Sequence, residues 1–168
     1  MHRVAVLLLA LLALTGCEAA PGGRAREPEP GPVVGRVVRV IDGDTVHVRV
    51  GERREKVRYI GVDTPESVKP GTDVQCFAKR ASAFNARLVA GERVRLVTDA
   101  ERRDRYGRLL AYVYRARDGL FVNAELVRRG YAQARTIPPN VAHAAGFRRL
   151  AAAARRDGRG LWSACMAS

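Results

Sequence analysis

The sequence is poor in acids and poorer still in lysine. Seventeen Asp and Glu face 30 Lys and Arg, for a formal charge of +13, and 27 of those 30 cations are arginine. Such a surface attracts polyanions, either nucleic acid or anionic lipid. A biased genomic base composition would also enrich arginine, so charge alone names no function. Cysteine is scarce, three in 168 residues, and no two stand at C-x-x-C spacing. That argues against a zinc site. Long apolar runs are missing too. The run at the start of the chain, Val4 to Leu14, has 11 residues, whereas a membrane-spanning helix needs about 20.

That run follows Arg3 and has the length of the apolar core of a secretion signal. It ends in Leu14-Thr15-Gly16-Cys17, small residues before a lone cysteine, which resembles the bacterial lipoprotein box. The resemblance implies a lipoprotein signal peptide over residues 1–16, cleavage before Cys17 and lipid on Cys17. Several acyl chains on one residue make a stable membrane anchor. Ordinary signal cleavage nearby, with Cys17 incidental, is the alternative. Residues 17–32 hold no large apolar side chain and are rich in Pro, Gly and charge, so they read as a flexible tether. The folded domain is then residues 33–165, enough for a single core. It is expected to be exported and anchored at the membrane, on the cell envelope or extracellular face. With Cys17 lipidated, Cys76 and Cys165 remain. In an oxidising compartment they are a candidate disulfide, with two free thiols as the alternative.

The pattern along the domain begins with "VVGRVVRVI", Val33 to Ile41, a valine-rich strand. "TVHVRV", Thr45 to Val50, alternates strictly and reads as a half-buried strand. "GERRE" reads as a turn, and "KVRYIG", Lys56 to Gly61, as a third strand. A symmetric turn centred on Arg53-Arg54 would set Asp44 opposite Asp63. Phe77, Ala81, Phe84 and Leu88 recur at helical spacing, which predicts a helix from about Val74 to Val89. Strands follow over Glu92–Thr98 and Arg108–Ala116, joined by the polar "AERRDRYG". Helices are predicted over Val122–Arg129 and Val141–Arg156, with Trp162 packing the last helix end against the sheet. Five strands with a helix between the third and fourth is the pattern of an OB-fold barrel with about three α-helices, mainly β in an α+β class.

The motifs "VIDGDTV", "VRYIGVDTPE", "DRYGRLLAYVY", "VNAELVRRGYA" and "GLWS" occur in this order. Together they resemble the staphylococcal nuclease, or thermonuclease, family across roughly Val33 to Ser163. The residues also have a chemical reading of their own. Carboxylates gathered without a cation repel one another, so Asp42, Asp44, Asp63 and Glu66 near one strand end ask for a hard cation. Calcium accepts carboxylates, backbone carbonyls and water. Asp44, Asp63 and the Thr64 carbonyl would form part of its shell, and the resemblance implies the same set with Asp42 in outer-shell support. It also implies that Arg58 and Arg108 bind the phosphate, as planar guanidinium forks can. Glu66 becomes the general base or the residue that orients the attacking water. Tyr106 is expected to contact substrate, with a packed surface tyrosine as the alternative. After Gly130 the chain departs from the family, which carries two tyrosines before a Pro-Asn turn. Here Arg135 and Ile137 stand near those places, and Arg135 is a weak candidate for stacking on a base.

Arg58 and Asp63 are five residues apart and would face opposite sides of a regular strand, so a bend at Gly61 is required. His47 and His143 read as a strand-face and a helix-surface residue without catalytic roles. The expected function is a calcium-dependent extracellular nuclease, monomeric, that cleaves DNA and RNA with little sequence preference and leaves 3′-phosphates. Alanine at Arg58, Glu66 or Arg108 is expected to lower turnover with the fold intact. A non-catalytic nucleic-acid-binding OB module is the alternative. A structural envelope lipoprotein would explain the tether and charge but not the acids.

Overall fold

The computed structural model describes residues 31–66 and 73–165. The expected leader, Cys17 and nearly all of the tether lie outside the described residues. Strands β1 (Val33–Val40), β2 (Thr45–Val50) and β3 (Arg53–Tyr59) form an antiparallel meander. A two-residue strand, β4 (Val62–Asp63), and helix α1 (Ala78–Val89) then lead to β5 (Arg93–Val97) and β6 (Leu109–Arg115). The sheet closes into a barrel in the order β1-β2-β3-β6-β5, with β3 and β6 parallel. This is the expected five-stranded α+β architecture. Closure leaves no free edge among the five strands.

Alternation explains the interior. Val37, Val46, Val48, Val57, Val94, Leu96, Ala111 and Val113 are each at most 1% exposed. β-branched side chains suit such a pleated, packed face. Three helices follow β6: α2 (Val122–Arg128), α3 (Ala144–Arg156) and the single turn α4 (Leu161–Ala164). Between α2 and α3, β7 (Gln133–Ala134) pairs with β4. Helix α2 packs through Val122, Leu126 and Val127, all fully buried.

Several boundaries differ from expectation. The β2–β3 turn is the two residues Gly51-Glu52, so β3 begins at Arg53 and Thr45 pairs with Arg58. The register is therefore four residues away from the symmetric turn, and Asp44 faces Tyr59, whose N–H donates to the Asp44 carbonyl at 2.9 Å. Helix α1 starts at Ala78 rather than Val74, because Phe77 lies in the left-handed region at φ 69°. Helix α3 starts at Ala144, after a turn in which the Ala144 N–H reaches the Val141 carbonyl at 3.0 Å. His143 is not a free helix-surface residue: its ring packs edge-on against Tyr112 at 4.5 Å. In α4 the residue that buries is Leu161, while partly exposed Trp162 lies beneath the Arg155 guanidinium at 5.3 Å. Cys76 and Cys165 are disulfide-bonded, with Cα atoms 5.9 Å apart.

Candidate active site

The two acidic stretches meet, although not by strand pairing. Gly61 takes φ 78°, and a Cβ there would sit 2.4 Å from the Phe147 ring. This bend turns the chain out of β3 and into β4, which β7 holds through the Val62–Ala134 and Asp63–Gln133 pairs. It resolves the odd spacing of Arg58 and Asp63. The Arg58 Nη2 donates to Asp63 Oδ1 at 2.9 Å, and its Nε lies 3.2 Å from Asp44 Oδ1. Its Nη1 donates to the Tyr59 and Val62 carbonyls at 2.6 and 2.9 Å. One guanidinium thus ties the end of β3 to both acids.

Asp44 is 5% exposed and fully engaged. Its Oδ2 accepts from the Thr64 N–H at 2.9 Å and the Thr64 hydroxyl at 3.0 Å, and its Oδ1 from the Thr45 hydroxyl at 3.1 Å. Gly43 permits this contact, since a Cβ there would lie 2.7 Å from three atoms of the Thr64 side chain. Asp42 accepts the Asp44 N–H on Oδ1 at 2.9 Å. Burial, then the neighbouring Asp44 charge, push the Asp42 carboxyl up to about 6. Two carboxylates converge on one positive charge between them, and the donor set is all oxygen. That chemistry fits a hard divalent cation held by Asp44 and Asp63. Among the described residues no group of three or more His, Cys, Asp or Glu is placed to hold a metal ion.

Arg108 stands immediately before β6, the strand that pairs with β3. Arg58 pairs with Leu110, two residues beyond Arg108 in sequence. Asp104 organises this arm. Its Oδ1 accepts the Tyr106 and Arg108 N–H groups at 3.0 Å each, and its Oδ2 takes Arg108 Nε at 2.7 Å. Burial opposes ionisation of Asp104, but the hydrogen bonds from Arg108 outweigh it and hold the carboxyl below the usual range. With Nε held, the two terminal nitrogens of Arg108 have no hydrogen-bond partner among the described residues. Tyr106 is 68% exposed, and its ring lies under both Arg105 and Arg108.

Arg135 reaches the same place by another route. Its N–H donates to the Gly61 carbonyl and its Nη1 to Asp63 Oδ2, both at 2.9 Å. It therefore stands at the acid cup, while Ile137 is exposed beyond it. Glu66 is fixed through its backbone: its N–H donates to Gln75 Oε1 at 2.8 Å, and the Gln75 N–H returns to its carbonyl at 3.0 Å. Sequence reasoning missed Asp104, Gln75 and Asn85. Asn85 is fully buried on α1, accepts the Tyr59 hydroxyl at 3.1 Å and donates to the Asp42 carbonyl at 3.0 Å. The available signal was a polar residue one place from the apolar stripe of Phe84 and Leu88.

A closed OB-type barrel that presents paired carboxylates and forked arginines on one face is built to handle a phosphodiester. Comparison with known proteins narrows the class. A profile described as "Staphylococcal nuclease homologue" matches residues 56–164. The chain is 40% identical over 128 residues to a thermonuclease of Staphylococcus hyicus, covering 76% of this chain and 75% of that one. It is 50% identical over 104 residues to a thermonuclease of Staphylococcus intermedius, covering 62% and 61%. Endonuclease YncB of Bacillus subtilis is 42% identical over 127 residues, covering 74% and 59%. The chain belongs to the staphylococcal nuclease family.

Proposed function

We propose that this chain is a calcium-dependent, lipid-anchored nuclease that hydrolyses DNA and RNA with little sequence preference and leaves 3′-phosphates. Its class, a phosphodiester hydrolase, rests on the family and on relatives named thermonuclease and endonuclease. The observation that carries the reading is Arg58 bridging Asp44 and Asp63. Asp44, Asp63 and the Thr64 carbonyl would hold the metal. A bound divalent cation supplies charge against the phosphate oxygens.

The protein's own groups do the rest. Arg108, anchored at Nε, offers two terminal donors to non-bridging oxygens, the geometry a guanidinium serves best. Arg58 exchanges its carboxylate contacts for phosphate oxygens as charge builds there. Glu66, set by Gln75, orients or deprotonates the attacking water. Asp104 keeps Arg108 in position, and Asp42 fixes the Asp44 backbone. The lipid on Cys17 and the tether over residues 17–32 would hold the domain at a membrane.

The test is incubation of the exported chain with labelled single-stranded DNA and RNA in calcium, magnesium, manganese or chelator, with the product ends mapped. Cleavage in calcium alone that leaves 3′-phosphates supports the reading. Binding without cleavage in any of the metals would make the chain a non-catalytic module. Cleavage in chelator would remove the metal from the reaction.

A further inference from the structure

The outer face of the β1–β2–β3 meander carries cations in rows. Arg49 is paired with Arg36 on one side and Arg54 on the other. His47 is paired with Arg39 and Lys56 in the same manner. Arg36, Arg39, Arg49, Arg54 and Lys56 are all exposed. Among the described residues none of the five is ion-paired, and the Arg36 Nε donates only to the Gly91 carbonyl, at 2.8 Å. Like charges set directly opposite one another on paired strands repel. Their mutual field is felt at the imidazole: burial, then Arg54, Lys56 and Arg39, hold His47 below its ordinary value. A fold gains nothing from this crowding, whereas a bound polyanion relieves it.

The rows also have a direction. On β3 the outward side chains run Arg54, Lys56, Arg58, and Arg58 is the arginine between the two acids. Successive outward residues step about 6.7 Å along a strand, comparable with the phosphate repeat of an extended single strand. The β3–β6 register begins with Val57 paired to Leu109, the residue after Arg108, so the second phosphate-binding arginine leads into β6 where that pairing starts. We propose that this stripe is a binding track for the sugar-phosphate backbone of a single-stranded nucleic acid on one side of the scissile bond. The track rests on the nuclease reading for its orientation, but not for its existence. It makes the enzyme favour long strands over short fragments, because only a long strand reaches Arg54 and Arg49.

The experiment compares the full chain with an Arg49→Gln/Arg54→Gln double variant, neither residue being part of the catalytic constellation. Two substrates are used, a long single strand and a one-nucleotide chromogenic phosphodiester. The track predicts a loss of about tenfold in kcat/KM on the long strand, with the short substrate unchanged. Strand binding in chelator, followed by anisotropy, should show its log–log salt slope reduced by about 1.4, for two lost contacts at about 0.7 each. An Arg49→Lys/Arg54→Lys variant should keep most of that slope, and thermal unfolding reports whether each variant is folded. Equal losses on both substrates, or an unchanged slope in a folded variant, overturn the track. If the wild-type chain cleaves neither substrate, the nuclease reading falls, and the slope in chelator alone decides the track. Loss of binding to phosphatidylglycerol vesicles with strand binding unaffected would also overturn it, by assigning the stripe to a lipid surface.

Discussion

Arg58 does more than the sequence reading asked of it, and Arg58→Ala tests how much more. Its guanidinium reaches four acceptors, the Tyr59 and Val62 carbonyls and the Asp44 and Asp63 carboxylates. The Asp44 side chain is 7% exposed and that of Asp63 39% exposed. Removing the partner of a buried charge costs about 3–5 kcal/mol. Asp63 contributes little to this, since water and Arg135 can serve it, and exposed pairs are worth about 1 kcal/mol at most. Thr64 still donates twice to Asp44, which places the loss near the lower end, about 3 kcal/mol. At a urea dependence of about 1.5 kcal/mol per molar, the midpoint should fall by about 2 M. The assay is urea unfolding in chelator, followed by Trp162 fluorescence. Millimolar calcium should recover part of the loss and stabilise Arg58→Ala more than wild type, because a cation then replaces the missing charge. A midpoint within about 0.3 M of wild type would refute the bridging role and restore the expectation that the fold is indifferent to this substitution.

Three further outcomes are expected. Asp104→Ala should lower kcat about tenfold or more by freeing Arg108, with Tyr106 fluorescence quenching by substrate weakened in parallel. Gly43→Ala should destabilise by about 1–3 kcal/mol through overpacking against Thr64 and weaken divalent-cation binding, read by calorimetry. The pH dependence has two parts in the metal-free protein. The Asp42 carboxyl is raised from 3.8 to about 6, so the native state holds a proton that the unfolded chain releases, and stability falls as pH rises from about 4 to 6. Asp42→Asn should flatten that decline in chemical unfolding. Asp99, Asp104 and Glu125 are shifted the other way, their hydrogen bonds outweighing burial. Their contribution is present above the ordinary carboxylate range and is lost as pH falls through their lowered values.

The barrel was legible because its signals are long and periodic. "TVHVRV" is β2 with the predicted ends, and the valine-rich stretch is β1, with Val37 buried and Val34 and Val38 exposed. The register was not legible, since Arg53 and Arg54 look like turn residues but are the first residues of β3. Charged side chains hide a strand whose outer face is wet. The β4–β7 ladder was beyond reach because each strand has two residues and no period. Within the site, the residue types carried the acids and arginines, but their support did not show. Asp104 lay in a stretch read as a polar connector, although its carboxylate collects three N–H groups. Arg135, assigned to base stacking, stands at Asp63, beside a strand pairing that no local pattern announces.

The Cys76–Cys165 bond, with a sequence separation of 89, divides the molecule in a way the barrel conceals. It makes one covalent ring that contains the four helices of the described residues together with β5, β6 and β7, while β1 to β4 stay outside it. Arg108 and Arg135 therefore belong to the ring, and Asp44, Arg58, Asp63 and Glu66 to the open arm. A protease that cuts once inside the ring leaves one covalent molecule until a reductant is added. A cut between β3 and β4 leaves Asp44 and Arg58 held to the rest without a covalent bond, by the strand pairs of β1 with β5 and β3 with β6 and by their contacts with Val62, Asp63 and Thr64. The proposed catalytic constellation is assembled across that boundary, and its integrity after a nick depends on which side of Cys76 the nick falls.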